Sequence, residues 1–311
     1  MKAENQENKG DCSPLNSLYC NLKVRITGSL NQNDLNDLYS CNLCNHCRLG
    51  GLNHNAREIA VNKSMEADHL VMIRENIKEH GNSYGIDHEN IRDGEIKCKT
   101  LLFRGCTSTY RTPEILKAAE NLLKSQGVDY EIMSDETCCG NILFNLGDVN
   151  FGIEVVKKNI SRFKAAGVER IINICPGCYH AFNKYYVGKE GFHPEIVLAL
   201  DLLQESKLLQ KSFDIQDPCH AREKADKVRR ILPGAINKGV SPCCGAGGGV
   251  MAHNKLLAAN KAVKTLENKK RLVTYCPFCY LNLSSIKPHG VQDLYLLLSE
   301  NLVLITEAVP Y

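Results

Sequence analysis

The sequence lacks features that mark nucleic-acid-binding proteins. It contains no tryptophan, and aromatic residues make up only 6% of its 311 residues, whereas surfaces that stack bases rely on aromatic side chains. Its 38 basic and 35 acidic residues leave a formal charge of only +3, which provides no strong attraction for a phosphate backbone. We therefore expect no nucleic-acid partner.

Long hydrophobic runs are also missing. No stretch reaches the roughly 18 uninterrupted apolar residues typical of a membrane span. The first ten residues, MKAENQENKG, contain no apolar segment of the kind found in signal peptides. The sequence therefore predicts a cytoplasmic protein without a transmembrane segment.

Cysteine, in contrast, is abundant. The chain has 16 cysteines, about 5% of its residues, which is several times ordinary usage but below the roughly 8–10% of small disulfide scaffolds. Cytoplasmic thiols stay reduced, so such a chain is expected to bind metal or to carry out redox chemistry.

The pattern of apolar residues divides the chain into regions. From about Leu35 to His80, apolar residues recur at helical spacing. From Thr100 onward, short apolar strands alternate with amphipathic helices, which predicts a largely parallel α/β fold. The predicted strands are 101–103, 130–133, 170–174, 213–216 and 271–275, and the main predicted helices are 113–126, 150–166 and 253–268.

The α/β part contains an internal repeat. Matched cysteines lie 113, 105 and 101 residues apart, at Cys106 and Cys219, Cys138 and Cys243, and Cys175 and Cys276. We predict three domains: a helical domain over residues 1–97 and two related α/β domains over 98–190 and 191–311.

Three cysteines in the N-terminal region form a C-x2-C-x2-C run, CNLCNHC. Cys41, Cys44 and Cys47, called here the triplet, have the spacing that binds three corners of a cubane 4Fe-4S cluster. A fourth ligand should come from elsewhere, and Cys20 is the candidate. The residues that would hold a second such cluster are missing, because Gly10, Ser13, Asn16 and Gly51 occupy their places. One cubane cluster is therefore predicted.

Each α/β repeat carries five cysteines in the order C…CCG…CP-x-C. The intervening segments are 31 and 35 residues in the first repeat and 23 and 31 residues in the second. Cys12 and Cys98 fit no pattern and are interpreted as ordinary thiols. The first cysteine set is Cys106, Cys138, Cys139, Cys175 and Cys178, and the second cysteine set is Cys219, Cys243, Cys244, Cys276 and Cys279.

The positions of these cysteines favour an iron–sulfur site. Several follow predicted strands, at the sheet edge where α/β proteins bind ligands, and the CP-x-C pairs open helices whose N-termini stabilise thiolates. Gly140 and Gly245 would let the backbone approach a cluster closely. Five thiolates exceed the four that tetrahedral zinc needs, so an unusual iron–sulfur cluster is favoured, and zinc stays open.

The sequence resembles the cysteine-rich CCG-domain family, and within it the D-type subunit of heterodisulfide reductases. The carrying motifs are LYSCNLCNHC, FRGCTSTYRTPEI, DETCCGNILFNLGD, INICPGCYHAF, DPCHAR, SPCCGAGGGV and VTYCPFCYLNL. The resemblance implies a ferredoxin-like helical domain ahead of two Rossmann-like CCG domains. It also implies one non-cubane 4Fe-4S cluster on each cysteine set.

The resemblance implies a function as well. Relatives of this type reduce a disulfide between two thiol coenzymes, of the CoM–S–S–CoB kind, with electrons from a partner subunit. Under this interpretation the ten cysteines of the two sets are catalytic, and His220, with His180 and Arg222 nearby, is a candidate for proton donation and substrate binding. The alternatives are an electron-transfer subunit of a flavin-dependent 2-hydroxy acid or glycerol-3-phosphate dehydrogenase, a CCG site that holds zinc, and a non-enzymatic redox sensor.

Overall fold

A helical region opens the structure. The computed structural model describes residues 14–87, 99–204, 212–236 and 241–307. Asn31 begins the second helix with a capping box, because its side chain accepts the Asp34 N–H at 2.9 Å while the Asp34 carboxylate accepts the Asn31 N–H at 2.8 Å. The predicted helical texture is confirmed by α1 (Pro14–Thr27), α2 (Gln32–Tyr39), α3 (Gly50–Asn62) and α4 (Asp68–His80).

The first α/β unit contains a parallel three-stranded sheet in the order β1–β2–β3. Leu101 and Leu102 of the first strand are fully buried, as expected for a parallel sheet with both faces covered. Pro113 opens the long helix that follows, and Gly167, in the left-handed region, ends another. The elements are β1 (Thr100–Phe103), α5 (Cys106–Tyr110), α6 (Pro113–Ser125), α7 (Asn141–Leu146), α8 (Val149–Ala166), β2 (Arg170–Asn173), α9 (Pro176–Ala181) and β3 (Glu195–Leu198).

The second unit repeats this plan with a parallel sheet in the order β4–β5–β6. Its last helix, α14, packs against α6 of the first unit, and Ile115 and Leu294 belong to one buried apolar cluster. The two repeats therefore share a core. The elements are β4 (Asp214–Gln216), α10 (Ala225–Ile231), α11 (Val250–His253), α12 (Lys255–Leu266), β5 (Leu272–Thr274), α13 (Pro277–Ile286), β6 (Val291–Asp293) and α14 (Leu294–Glu307).

Two predicted elements are wrong in detail. The strand predicted over 130–133 is reduced to one bridge between Leu101 and Glu131, because the chain then turns away toward Glu136, which binds the backbone after β1. The single helix predicted over 253–268 is interrupted at Asn254, which is extended and caps α12 through the Leu257 N–H.

The α/β class, with two parallel sheets behind a helical region, is confirmed. The domain limits stay a prediction; β3, which pairs with β2, lies beyond the predicted boundary at 190. In the ranges the structure describes, we find no helix with the length and apolar character needed to span a bilayer.

Candidate iron–sulfur site

The first cysteine set gathers at the carboxyl ends of β1 and β2. Cys106 begins α5 directly after β1, and Cys175 is the N-cap of α9 directly after β2. The thiols form a chain of neighbours: Cys106 beside Cys138, Cys138 beside Cys139, Cys139 beside Cys178, and Cys178 beside Cys175. The sheet edge therefore assembles all five members.

The second cysteine set repeats this arrangement after β4 and β5. Cys276 is the N-cap of α13, and its thiol neighbours that of Cys279. The Cys279 thiol lies beside Cys244, and Cys244 lies beside Cys243. The Cys219 thiol is close enough to Cys243 for an electrostatic interaction. The repeat in sequence is therefore a repeat in space.

The two sets meet at equivalent positions. The thiol of Cys175 lies beside that of Cys276, and these two cysteines correspond to each other in the repeat. Cysteines of both sets and the intervening apolar side chains belong to one buried cluster. A continuous path of neighbouring thiols thus joins the two sets.

The second cysteine of each CC pair is prepared to be a thiolate. Hydrogen bonds from the thiols of Cys138 and Cys178 lower the pKa of Cys139 to about 6. Equivalent bonds from Cys243 and Cys279 hold the pKa of Cys244 well below its ordinary value. Thiolates are the form that binds iron.

The chemistry of this donor set fits iron–sulfur clusters. Buried thiolates that neighbour one another need compensating positive charge, and iron in a cluster provides it while taking thiolate ligands at several irons. Within the described parts of the chain, no three His, Cys, Asp or Glu side chains converge closely enough to chelate one metal ion. The ligand sets, the cluster types and zinc at either set stay predictions.

The two glycines of the CCG motifs have positive φ angles, 81° at Gly140 and 87° at Gly245. The Gly140 N–H donates to the Cys138 thiol at 3.4 Å. Sequence reasoning missed Gly105, whose φ is 77° and where an added Cβ would lie 3.1 Å from the Cys178 sulfur. The RGC motif before α5 carried that signal, since only glycine adopts this conformation readily.

The triplet forms a tight loop between α2 and α3. Leu43, Asn45 and Arg48 have positive φ angles of 52°, 57° and 61°, a rare conformation outside glycine. The Leu43 N–H donates to the Cys41 sulfur at 3.4 Å. The backbone of the loop is thus shaped to turn N–H groups toward sulfur, as in other anion-binding loops.

The members of the predicted cubane set have different neighbours. The buried Cys20 thiol donates to the Asp34 carbonyl at 3.5 Å, and burial, followed by the Asp34 charge, raises its pKa to about 11. The Cys44 thiol lies beside Cys243 of the second cysteine set. Cys41 is buried and Cys47 half-buried. Gly10, Cys12, Ser13 and Cys98 lie outside the described residues.

A cavity of about 700 Å³ opens onto the second cysteine set, a size typical of ligand sites. It lies between the triplet loop, α9 with the turn after it, and the segment after β4. Among the residues that line it are Cys44, Arg48, His54, Tyr179, His180, Lys184, Cys219 and His220.

The two histidines predicted as functional lie together in this cavity. His180 and His220 stack with ring centroids 4.6 Å apart and an interplanar angle of 11°. Burial, followed by the charge of His180, lowers the pKa of His220 to about 4. The His220 Nδ1 atom lies 3.7 Å from where a Cβ at Gly177 would be, so His220 reaches from the second unit to the CP-x-C turn of the first.

Duplicated α/β units whose sheet edges each present five neighbouring thiols define a cysteine-rich protein of the cluster-binding class. The model of the cysteine-rich domain, CCG, matches residues 100–183 and 213–284. The chain therefore belongs to this family, as the sequence motifs predicted.

Several curated proteins are similar to this chain. The D-type subunit of the dihydromethanophenazine:CoB–CoM heterodisulfide reductase of Methanosarcina acetivorans is 29% identical over 249 residues, covering 68% of this chain and 61% of that protein. The B-type subunit of fumarate reductase (CoM/CoB) from Methanothermobacter marburgensis is 26% identical, covering 61% and 43%. The EtfAB:quinone oxidoreductase of Syntrophomonas wolfei is 27% identical, covering 58% and 30%.

The chain is thus related to iron–sulfur oxidoreductase subunits. It spans 61% of the heterodisulfide reductase protein and less of the other two relatives. The predicted resemblance to the D-type subunit is confirmed at the level of relationship, and the reaction itself belongs to the proposal below.

Proposed function

We propose that this protein is the iron–sulfur subunit of an oxidoreductase that reduces a disulfide to two thiols. The observation that carries the proposal is the cavity of about 700 Å³ that reaches the Cys219 and Cys44 thiols. The reaction consumes two electrons and two protons, breaks one S–S bond and releases two thiols. The electrons come from a partner subunit, either an electron-donor protein or a flavoprotein.

The cysteine sets would hold the clusters, with Cys106, Cys138, Cys139, Cys175 and Cys178 as one ligand set and Cys219, Cys243, Cys244, Cys276 and Cys279 as the other. When bound, such clusters supply electrons singly to sulfur. Cys20, Cys41, Cys44 and Cys47 would hold one cubane cluster.

The cavity walls suit an anionic substrate. Lys184 and Arg48 can neutralise carboxylate, sulfonate or phosphate groups. His180 and His220 are stacked at the cavity wall, where they can hydrogen-bond a sulfur atom that is being reduced. These residues would orient the disulfide with one sulfur toward Cys219.

The test uses protein purified without oxygen, with iron, sulfide and zinc measured per chain. Reduced viologen would drive thiol release from the CoB–CoM heterodisulfide, from oxidised glutathione, and from cystamine as a cationic control. We expect release from an anionic disulfide and little from cystamine. Lys184→Met should raise KM about tenfold, equivalent to about 1.4 kcal/mol, whereas Lys117→Met on the outer face of α6 should not.

Two outcomes would contradict the proposal. If no disulfide yields thiols while a reduced flavoprotein still passes electrons to the chain, the protein is an electron-transfer subunit, the alternative favoured by the similarity to EtfAB:quinone oxidoreductase. About one zinc per cysteine set with little sulfide would instead support a metal-binding sensor.

A further inference from the structure

The helical region covers the two cysteine sets with two different segments. Gly81 to Tyr84, after α4, lies over the first set: the Gly81 carbonyl accepts the Cys138 N–H at 2.6 Å, and the Ser83 hydroxyl lies 3.5 Å from the Cys106 sulfur. The triplet loop lies over the second set. Among the contacts described, the triplet loop places a thiol of its own, Cys44, beside the set that it covers, whereas the Gly81 to Tyr84 segment does not.

The triplet loop is bound to the second α/β unit by side-chain hydrogen bonds. Asn42 Nδ2 donates to the carbonyls of Gly245 and Gly247 at 2.7 and 3.0 Å. Lys261 Nζ donates to the Ser40 carbonyl at 2.9 Å and to the Asn42 side chain at 2.6 Å. The loop therefore has a fixed position against the glycine-rich turn of the second CCG motif.

The close approach depends on a glycine. Gly248 has a φ of 64°, and a Cβ there would lie 2.6 Å from the backbone carbon of Asn42. Any side chain at this position would push the loop away from the turn. The GAGGG motif is thus a docking surface for the triplet loop.

Arg57 also stabilises the contact between the triplet loop and the glycine-rich turn. Its side chain is fully buried and donates to the carbonyls of Cys41 at 2.7 Å, Gly248 at 2.6 Å, Asn145 at 2.7 Å and Leu38 at 2.8 Å. One guanidinium thus joins the triplet loop to both α/β units. Its positive charge lies next to the backbone of a predicted cluster ligand.

We infer that electrons pass from the triplet loop into the second cysteine set first, and reach the first set through the contact between Cys175 and Cys276. Arg57 is the positioning residue that maintains the entry contact. This inference rests on the proposed electron-carrying function. Electron transfer falls steeply with distance, and the triplet loop places the thiol of Cys44 beside Cys243 of the second set. The segment over the first set contributes the Ser83 hydroxyl, which is no cluster ligand, beside Cys106.

The test compares two matched variants at duplicated positions, Cys106→Ser and Cys219→Ser, in the full chain. Protein is mixed with a substoichiometric reductant and frozen at intervals, and electron paramagnetic resonance follows the remaining clusters. In Cys106→Ser the second set should be reduced at the wild-type rate. In Cys219→Ser reduction of the first set should slow at least tenfold.

Arg57→Gln tests the positioning role against Arg74→Gln, which removes an ion pair between the helical region and Asp148 of the first unit together with two hydrogen bonds to Glu66. Arg57→Gln should slow reduction of the second set and increase hydrogen exchange at residues 40–44 and 245–248. Arg57→Lys, which keeps the charge, should restore part of the rate. Arg74→Gln should change neither. Asn42→Ala provides a milder variant if Arg57→Gln does not fold.

Equal or faster filling of the first set in Cys219→Ser would overturn the order of transfer. An unchanged rate in both Arg57→Gln and Asn42→Ala would overturn the role of the docked loop. Neither result depends on thiol release, so both are distinguishable from failure of the proposed disulfide reduction.

Discussion

The two cysteine sets share one sequence pattern but have different surroundings. The cavity that touches Cys106 and Cys138 in the first set holds about 10 Å³, roughly the space of one water. The cavity that reaches Cys219 in the second set holds about 700 Å³, and its lining includes the basic side chains of Arg48 and Lys184 as well as Glu223. A shared cysteine pattern therefore does not imply identical roles: the surroundings favour access of a small molecule at the second set.

The polar supports behind the two sets also differ. In the second unit, Asp217 binds Arg229 in a two-pronged ion pair with both contacts at 2.9 Å and accepts the Tyr275 hydroxyl at 3.0 Å. In the first, Glu136 accepts the backbone N–H groups of Arg104 and Gly105 at 2.8 and 2.7 Å. Glu136 mainly binds backbone, with the Arg104 side chain farther away at 3.8 Å, whereas Asp217 binds a charged side chain directly.

The largest expected loss of stability follows from the difference between Asp217 and Glu136. Asp217→Asn leaves the Arg229 charge without its carboxylate and should destabilise the protein by about 4 kcal/mol. Glu136→Gln keeps one acceptor but turns an N–H donor toward the other of the two backbone N–H groups. It also relieves a buried carboxylate whose pKa is raised by burial, so its cost should be about 2 kcal/mol. Anaerobic calorimetry of the holoprotein measures both. A larger loss for Glu136→Gln would reverse our ranking of the two supports.

The glycines of the two CCG motifs, Gly140 and Gly245, also differ in how closely they are packed. A Cβ at Gly245 would lie 2.6 Å from the Ala258 carbonyl oxygen, whereas at Gly140 the nearest atom is 3.6 Å away. Gly140→Ala should therefore cost only the left-handed backbone conformation, about 1–2 kcal/mol. Gly245→Ala should cost about 3 kcal/mol, because the clash adds to it. Thermal midpoints and iron content compare the pair, and equal losses would contradict the difference in packing.

The smallest effect concerns pH. His69 of α4 packs against Tyr39 and against His253 of the second unit, while contact with the first unit uses the Arg74–Asp148 ion pair. Burial, followed by the charges of His253 and Arg57, lowers the pKa of His69 to about 4. The unfolded chain therefore binds a proton that the folded chain excludes between about pH 6.5 and 4, and stability falls as the pH drops through this window.

Between pH 7.5 and 5 this histidine should account for about 2 kcal/mol of lost stability. His69→Phe preserves an aromatic ring beside Tyr39 and should reduce that acid sensitivity. The exposed His289→Gln serves as the control. If wild type and His69→Phe lose stability equally on acidification, the buried histidine is not the cause.

Local patterns predicted much of the fold. The helix after Pro113, the helix ending at Gly167 and the strand at Leu101 to Phe103 are all present, because proline, glycine and apolar periodicity act over a few residues. The segment 130–133 does not form the expected strand, because Glu136 draws the following residues toward the backbone N–H groups after β1. Similarly, the break at Asn254 depended on a side chain that caps the following helix.

The candidate site, too, was predictable from the sequence only in part. Cysteine spacing by itself identified two equivalent five-cysteine sets, because strand ends in parallel sheets converge and the repeat copies that geometry. It did not reveal the contact between Cys175 and Cys276 or that between Cys44 and Cys243. It also missed Arg57, Asn42 and Lys184, whose importance arises from carbonyls and cavities formed by residues far away in the chain.

The sequence therefore determined the family, the α/β repeat and the composition of the two cysteine sets, since these depend on residue types at fixed local spacing. The tertiary structure decided which set meets the triplet loop and which opens to a substrate-sized cavity. Those differences depend on how the helical region packs across both repeats, and long-range packing of this kind is not encoded in the spacing of any one motif.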